Sequence, residues 1–77
     1  MDMTFGERLR SLREEREPRL TQTQLAQGTG ISQRKISYLE RDELEPSLEE
    51  LRQLCLYYQV SADYLLGLPA GLSRPRR

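Results

Sequence analysis

Histidine is absent from this 77-residue sequence, and cysteine occurs once, at position 55. Zinc sites and nucleophile–base pairs are commonly built from these residue types, and an internal disulfide needs two cysteines. A glycine-rich phosphate loop is also missing. We therefore predict that the protein is not an enzyme, that it uses no metal or other cofactor, and that Cys55 is a small residue of the core.

Long apolar runs are missing as well, since no stretch approaches the roughly 20 residues that a transmembrane helix needs. The first residues lack the apolar segment of a signal peptide, and we expect a cytoplasmic protein that does not bind membranes. Neither sign of charge is in excess, because 12 Lys and Arg residues balance 12 Asp and Glu residues. Total charge therefore gives no indication of a nucleic-acid partner, and the distribution of charge has to be considered.

Helical signals divide the chain into five segments, and no alternating apolar–polar run of strand length is present. Each segment opens with a residue that caps helix N-termini well: Thr4, Thr21, Ser32, Ser47 and Ser61. Three of these are followed three residues later by Glu or Gln, which makes a capping box. We expect the first helix to reach Glu17, because Pro18 disfavours helical backbone before it. The sequence predicts an all-α, compact five-helix domain over residues 1–68, followed by a basic, flexible tail over residues 69–77.

The last two segments carry most of the apolar side chains. In the fourth, a stripe that repeats every three or four residues is expected to face the core: Leu48, Leu51, Leu54, Cys55 and Tyr58. The fifth has too many apolar groups for one short helix of a small monomer, so part of it is expected to form an exposed patch. We predict a homodimer with an interface formed by Tyr64, Leu65 and Leu68. The alternative is that all of these leucines are core residues.

The connection between the second and third segments has the features of a helix-turn-helix. Ala26 supplies a small side chain where two helices cross, and Gly30 supplies the positive φ that a short turn needs. Ile36 and Leu39 then fix the inner face of the third helix and leave its outer face free. We expect the second and third helices to form this motif.

Four motifs in order along the chain carry a resemblance to a known family. They are L-T-Q-x-x-L-A over 20–26, G-I-S-Q-x-x-I-S-x-L-E over 30–40, P-S-L-E-x-L over 46–51 and V-S-A-D-Y-L-L-G over 60–67. Together they resemble the Xre/Cro-type helix-turn-helix regulators, which include the lambdoid phage repressors. The resemblance extends over about residues 5–67. It implies a sequence-specific regulator of transcription, a repressor or autoregulator, that binds double-stranded DNA. A two-fold dimer would require a near-palindromic operator. We expect no small-molecule ligand, because a single domain leaves no evident ligand-sensing module.

The resemblance also implies roles for individual residues, because the family's third helix enters the major groove while the second lies over the DNA backbone. The positions that match base-reading residues are Gln33, Arg34, Ser37 and Tyr38. Gln22 matches a phosphate-clamping glutamine. Further phosphate contacts are expected from residues beside it and at the ends of the third helix: Thr21, Ser32, Lys35, Arg41 and Arg19. Each outward residue of the third helix could instead be merely solvated, and Gln22 could be only part of a helix cap.

Two further expectations come from comparison with the family. Arg13 and Glu40 match a buried ion pair that links the first and third helices. Where the family usually has glycine after the third helix, followed by basic residues, this chain has Asp42-Glu43. Asp42 tolerates the left-handed backbone of such a turn, but both carboxylates are expected to face DNA.

Charge is distributed unevenly along the chain. Residues 19–41 hold four basic residues and one acidic residue, for a net charge of +3, whereas residues 42–63 hold six acidic residues and one basic residue, for −5. The basic part agrees with DNA binding. The acidic stretch 42–50 and the neutral total favour a second hypothesis, a protein-interaction module on the same fold, such as an antitoxin or an anti-repressor partner.

Overall fold

A computed structural model describes residues 3–69 and residue 72. The five helices are α1 (Phe5–Glu14), α2 (Gln22–Thr29), α3 (Gln33–Glu40), α4 (Leu48–Tyr58) and α5 (Ala62–Leu66). Strands are absent from this described part, so the all-α, five-helix prediction is confirmed. None of its helices has the length and apolarity to cross a membrane. The predicted tail falls mainly on residues 70, 71 and 73–77, which lie outside the described residues.

Every helix begins after the capping residue that the sequence predicts. The side chains of Thr4, Thr21 and Ser47 each accept a hydrogen bond from the backbone N–H three residues later, and Glu7, Gln24 and Glu50 complete the three capping boxes. Ser32 and Ser61 cap the other two helices. These caps satisfy backbone groups that have no partner within their helix. The first helix is shorter than predicted and ends at Glu14.

The core is formed by side chains from all five helices. Its fully buried members are Leu9, Leu25, Ile36, Leu39, Leu54 and Leu65. Full burial of one such side chain stabilises the fold by about 1.5–3 kcal/mol. Cys55 packs against this cluster, and burial raises the pKa of its thiol.

Two predictions about apolar residues are wrong. Leu48 is 85% exposed, because it is the first residue of α4 and the inward stripe begins one turn later, at Leu51. Leu65 was expected at a dimer interface, but it is completely buried. The five-residue α5 packs against both α1 and α4, and Leu65 is the side chain that closes the core there. The exposed apolar residues of this region are Tyr64, Leu66 and Leu68.

The end of α2 is specialised for close packing. Gly28 lies against the ring of Tyr57 on α4, and a Cβ at this position would clash with that ring. Thr29 is buried; its hydroxyl donates to the Leu25 carbonyl at 2.8 Å and accepts from the Ile31 N–H at 3.3 Å. Thr29 is thereby satisfied in the core and also orders the turn into α3.

Candidate nucleic-acid interface

The turn between α2 and α3 sets the direction of the third helix. Gly30 adopts φ 77° at the end of α2, a left-handed conformation that glycine takes without steric cost. Ile31 is buried just before the cap, and Ile36 is buried in the next turn, which is the arrangement of a hydrophobic staple. With Leu39 also buried, the inner face of α3 is fixed against the core and its outer face is left to solvent.

A continuous chain of polar side chains connects α1 to the start of α3. Arg13 donates two hydrogen bonds to the Glu40 carboxylate, from Nε to Oε2 at 2.8 Å and from Nη2 to Oε1 at 2.9 Å. Gln22 Nε2 donates to Glu40 Oε1 at 3.0 Å, and Gln33 Nε2 donates to Gln22 Oε1 at 2.7 Å. The amide of Gln33 is therefore oriented by Gln22, which is itself oriented by a buried ion pair.

The ion pair between Arg13 and Glu40 joins α1 to α3 as expected. The two side chains are only 12% and 4% exposed, and the hydrogen bond to Glu40 raises the pKa of Arg13. Arg13 Nη1 also donates to the Leu20 carbonyl at 3.0 Å, while the Leu20 N–H donates to the Arg13 carbonyl at 3.2 Å. The same arginine therefore holds the connection between α1 and α2.

Tyr58 is buried beside this pair. Burial, followed by the charge of Glu40, raises the pKa of Tyr58 to about 12. Its hydroxyl has no hydrogen-bond partner among the described residues. Tyr58 therefore contributes apolar packing to the core, while its hydroxyl remains protonated at any ordinary pH.

The four residues predicted to read bases lie on the outer side of α3, but in two different settings. Gln33 and Arg34 are exposed in the first turn, whereas Ser37 and Tyr38 are half-buried in the second. Gln33 is oriented as described, and Arg34 forms no hydrogen bond or ion pair with the residues that the structure describes. A free guanidinium and an oriented amide next to each other suit the edges of guanine and adenine.

The residues predicted to contact phosphate differ in whether their polar groups remain available to a ligand. Thr21 and Ser32 cap α2 and α3 by accepting backbone hydrogen bonds at 3.0 and 3.1 Å, so their hydroxyl hydrogens remain available for another acceptor. Arg19 is exposed in the connection before α2. Lys35 is directed elsewhere, because its amine pairs with Glu50 on α4 at 3.1 Å.

Arg41, also predicted to contact phosphate, is held on the surface of α3. Its Nη1 donates to Ser37 Oγ at 2.8 Å, and its Nη2 pairs with Glu43 Oε1 at 3.1 Å. The guanidinium carbon lies 5.1 Å from the centre of the Tyr38 ring, within the range of a cation–π contact. Arg41 is therefore already engaged by two residues of α3 and one carboxylate.

The residues after α3 form a helix-ending turn of the Schellman type. Asp42 has φ 59°; its N–H donates to the Leu39 carbonyl, and the Glu43 N–H donates to the Tyr38 carbonyl. The predicted left-handed backbone at Asp42 is thus present. The prediction that its carboxylate faces DNA is wrong, because Oδ1 accepts from the Gly6 N–H at 2.9 Å and Oδ2 from Thr4 Oγ1 at 2.6 Å.

Sequence reasoning missed the contact between the start of α1 and the end of α3. A Cβ at Gly6 would lie 2.5 Å from the Glu40 carbonyl oxygen and 2.6 Å from that of Leu39. Only glycine allows this approach, which also brings the α1 N-terminus to the Asp42 carboxylate. A glycine within the first turn of an otherwise good helix, at a cost of about 1 kcal/mol, was the one signal in the sequence.

An apolar groove lies between the start of α1, the α3–α4 loop, α4 and α5. It has a volume of about 370 Å³, and its apolar lining comes from α1, the α3–α4 loop, α4 and α5: Phe5, Leu44, Pro46, Leu48, Leu51 and Leu66. Leu44, Leu48 and Leu66 are exposed. Exposed leucines beside a groove are typical of a contact surface.

Comparison with known proteins places this geometry in a wider group. Residues 4–66 match the family described as a helix-turn-helix domain. An immunity repressor protein of Bacillus phage phi105 is 42% identical over 62 residues, which are 78% of this chain and 42% of the repressor. The HTH-type transcriptional regulator ImmR of Bacillus subtilis (strain 168) is 37% identical over 65 residues, 84% of this chain and 50% of that protein. The chain thus spans about half the length of these relatives.

The solved structures that are similar include the P22 c2 repressor in complex with a synthetic operator. Its TM-score is 0.77 at 38% sequence identity, and the match covers 84% of this chain and 96% of the repressor chain. The solution structure of the DNA-binding domain of the same repressor gives a TM-score of 0.73 at 38% identity and covers 84% of each chain. With a family match over residues 4–66 and the α2–α3 geometry described above, this chain belongs to the helix-turn-helix domain family.

Proposed function

We propose that this chain binds double-stranded DNA sequence-specifically and regulates transcription in the cytoplasm, as a homodimeric repressor or autoregulator. The observation that carries the proposal is the polar chain from Arg13 to Gln33. It orients a side-chain amide at the exposed start of α3, although nothing in the core requires that amide to be oriented. The similarity to an immunity repressor and to a repressor solved with its operator supports the same conclusion.

In the proposed complex, α3 lies in the major groove and α2 lies over the backbone. Gln33 and Arg34 contact base edges from the first turn of α3, with the amide suited to adenine and the guanidinium to guanine. Gln22, Thr21, Ser32 and the exposed Arg19 provide phosphate contacts, which set position without reading sequence. We leave Lys35 out of this set because its amine pairs with Glu50.

The homodimer is the second part of the proposal. Tyr64, Leu66 and Leu68 are exposed at or just beyond α5, and Leu66 continues into the groove beside Leu48. A two-fold pair would place two α3 helices about 34–36 Å apart, one turn of DNA, on a near-palindromic operator. Leu66→Glu is expected to weaken self-association and cooperative binding. Leu56→Glu, on an exposed leucine outside the groove, is the matched control.

The protein-interaction hypothesis loses its main support. It depended on a free acidic stretch over residues 42–50. In the structure, Asp42 caps α1, Glu43 pairs with Arg41, and Glu50 accepts from Ser47 and pairs with Lys35. Glu49 pairs with Arg52 as well, so four of the five carboxylates of this stretch have partners within the domain, and Glu45 alone has none among the described residues.

Selection of sites from a random duplex DNA library, at about 0.15 M salt, tests the proposal. The expected result is an enriched near-palindrome with half-sites one helical turn apart. Gln33→Ala and Arg34→Ala are expected to change the bases selected while the protein keeps its circular dichroism spectrum. A folded protein that enriches no sequence would overturn the proposal.

A further inference from the structure

The C-terminal end of α3 carries a cluster that the helix-turn-helix motif does not require. Arg41 bridges Ser37, the Tyr38 ring and Glu43. Two of these residues, Ser37 and Tyr38, lie on the outer face of α3, which we propose reads bases. Glu43 comes after the helix, and its side chain contributes neither to the core nor to a cap.

The position of Glu43 is fixed by its backbone. Its N–H donates to the Tyr38 carbonyl at 3.0 Å, and the preceding residue, Asp42, is anchored to α1 through Gly6 and Thr4. The backbone of Glu43 is therefore held in a defined position, from which its carboxylate reaches Arg41. Both members of the pair are about half exposed, so the ion pair itself adds little stability, and its effect lies in where it holds the guanidinium.

Arg41 determines whether the Ser37 hydroxyl can act as a hydrogen-bond donor or as an acceptor toward a ligand. A serine hydroxyl has one hydrogen to donate and two lone pairs, whereas a guanidinium can only donate. Since Arg41 Nη1 donates to Ser37 Oγ at 2.8 Å, one lone pair is occupied, and the hydroxyl hydrogen has no acceptor within the part of the chain that the structure describes. A charge-assisted bond of this kind also strengthens the hydroxyl as a donor.

We propose that Glu43 and Arg41 are positioning residues that set base preference: Glu43 holds Arg41 across Tyr38, and Arg41 fixes Ser37 as a hydrogen-bond donor to the major groove. The base opposite Ser37 is then one that presents an acceptor, such as guanine, adenine or thymine, and cytosine with its amino donor is disfavoured. This inference rests on the proposed function. It also assigns Arg41 a role in readout in place of the predicted phosphate contact.

Glu43→Ala is the test, with Glu45→Ala as the matched control, because both remove one exposed carboxylate from the same loop and only Glu43 pairs with Arg41. We expect Glu43→Ala to reduce discrimination against cytosine opposite Ser37 by about two- to tenfold, the range of one hydrogen bond. We also expect the affinity for DNA to fall more steeply with salt concentration, by the equivalent of about one phosphate contact, because Arg41 becomes free to contact the DNA backbone. Glu45→Ala should change affinity for all sequences by the same factor and leave the preference intact.

Ser37→Ala completes the experiment. It should remove the discrimination at this base, and adding Glu43→Ala to it should have no further effect on base preference. The inference is overturned if Glu43→Ala and Glu45→Ala behave alike, or if Glu43→Ala still changes the preference when Ser37 is absent. If the wild-type protein enriches no site at all, the failure belongs to the proposed function and not to this inference.

Discussion

The amide of Gln33 donates to the side chain of Gln22 at 2.7 Å, and so joins the first residue of α3 to the first residue of α2. The same Gln22 donates to Glu40 at the end of α3. One glutamine therefore spans both ends of the helix that we propose reads DNA.

Gln22→Ala is expected to lower affinity for the selected site by about tenfold or more, since two hydrogen bonds of about 1 kcal/mol are lost. Without Gln22, the Gln33 amide samples other orientations. Binding to unrelated duplex DNA should fall less, because it does not depend on the orientation of that amide. Titration of both duplexes measures this difference. Gln27→Ala, an exposed glutamine of the same helix, should leave both affinities unchanged. Equal losses on the two duplexes would mean that Gln22 only contacts phosphate.

Arg13→Ala is expected to lower the free energy of unfolding by about 3–5 kcal/mol, because it leaves the Glu40 carboxylate buried without its partner. Arg10→Ala breaks an exposed pair on the same helix, at 2.9 Å from Glu14, and should cost under about 1 kcal/mol. Urea denaturation compares the two variants. If Arg13→Ala does not fold, replacing Glu40 by leucine in the same chain should restore folding. Similar losses for Arg10 and Arg13 would contradict the role given to the buried pair.

The pH dependence of stability at high pH should depend on Tyr58. Its pKa is raised to about 12 in the folded state, against an ordinary value of about 10 in the unfolded chain. The unfolded state therefore loses its proton first, and the free energy of unfolding decreases between about pH 10 and pH 12, by about 2–3 kcal/mol from this group. Tyr58→Phe should remove that part of the decrease, whereas Tyr64→Phe should keep it. Parallel curves for the two variants would show that Tyr58 titrates normally.

Substitutions at Asp42 should separate backbone from side-chain effects. Asp42→Ala loses the hydrogen bonds from Gly6 and Thr4 and also places alanine at φ 59°, so we expect a loss of about 2–4 kcal/mol. Asp42→Gly removes only the side-chain contribution and should be less harmful. Asp42→Asn keeps an acceptor and a tolerance for this backbone, and should be the mildest. Thermal unfolding gives the order, and a glycine variant no better than alanine would count against the backbone contribution.

Local features of the fold could be predicted from the sequence because their causes are local. A capping residue such as Thr21 acts on N–H groups within one turn, and Gly30 adopts its positive φ because it has no side chain. The ends of apolar stripes could not be predicted. Leu48 has the right spacing but lies at the first position of its helix, and the side on which Leu65 falls depends on how α5 packs against α1 and α4.

The candidate site could be predicted in composition but only partly in geometry. The outer residues of α3, such as Gln33 and Arg34, follow from the inner positions of Ile36 and Leu39. The engagement of Lys35 by Glu50 could not be foreseen, since these residues are 15 positions apart and meet only after α4 has packed. The inward turn of the Asp42 carboxylate depends likewise on the approach of α1, which only Gly6 allows.

Both ends of α3 are fastened before any ligand arrives, at Gln33 through Gln22 and at Asp42 through the start of α1. A helix held in this way has little conformational freedom left to lose on association, so docking should resemble the meeting of two rigid bodies. The outward residues Arg34 and Ser37 have no part in these two attachments. Site preference can therefore change by substitution at Arg34 or Ser37 with little change in stability. The same fold could in this way come to recognise different operator sequences over evolutionary time.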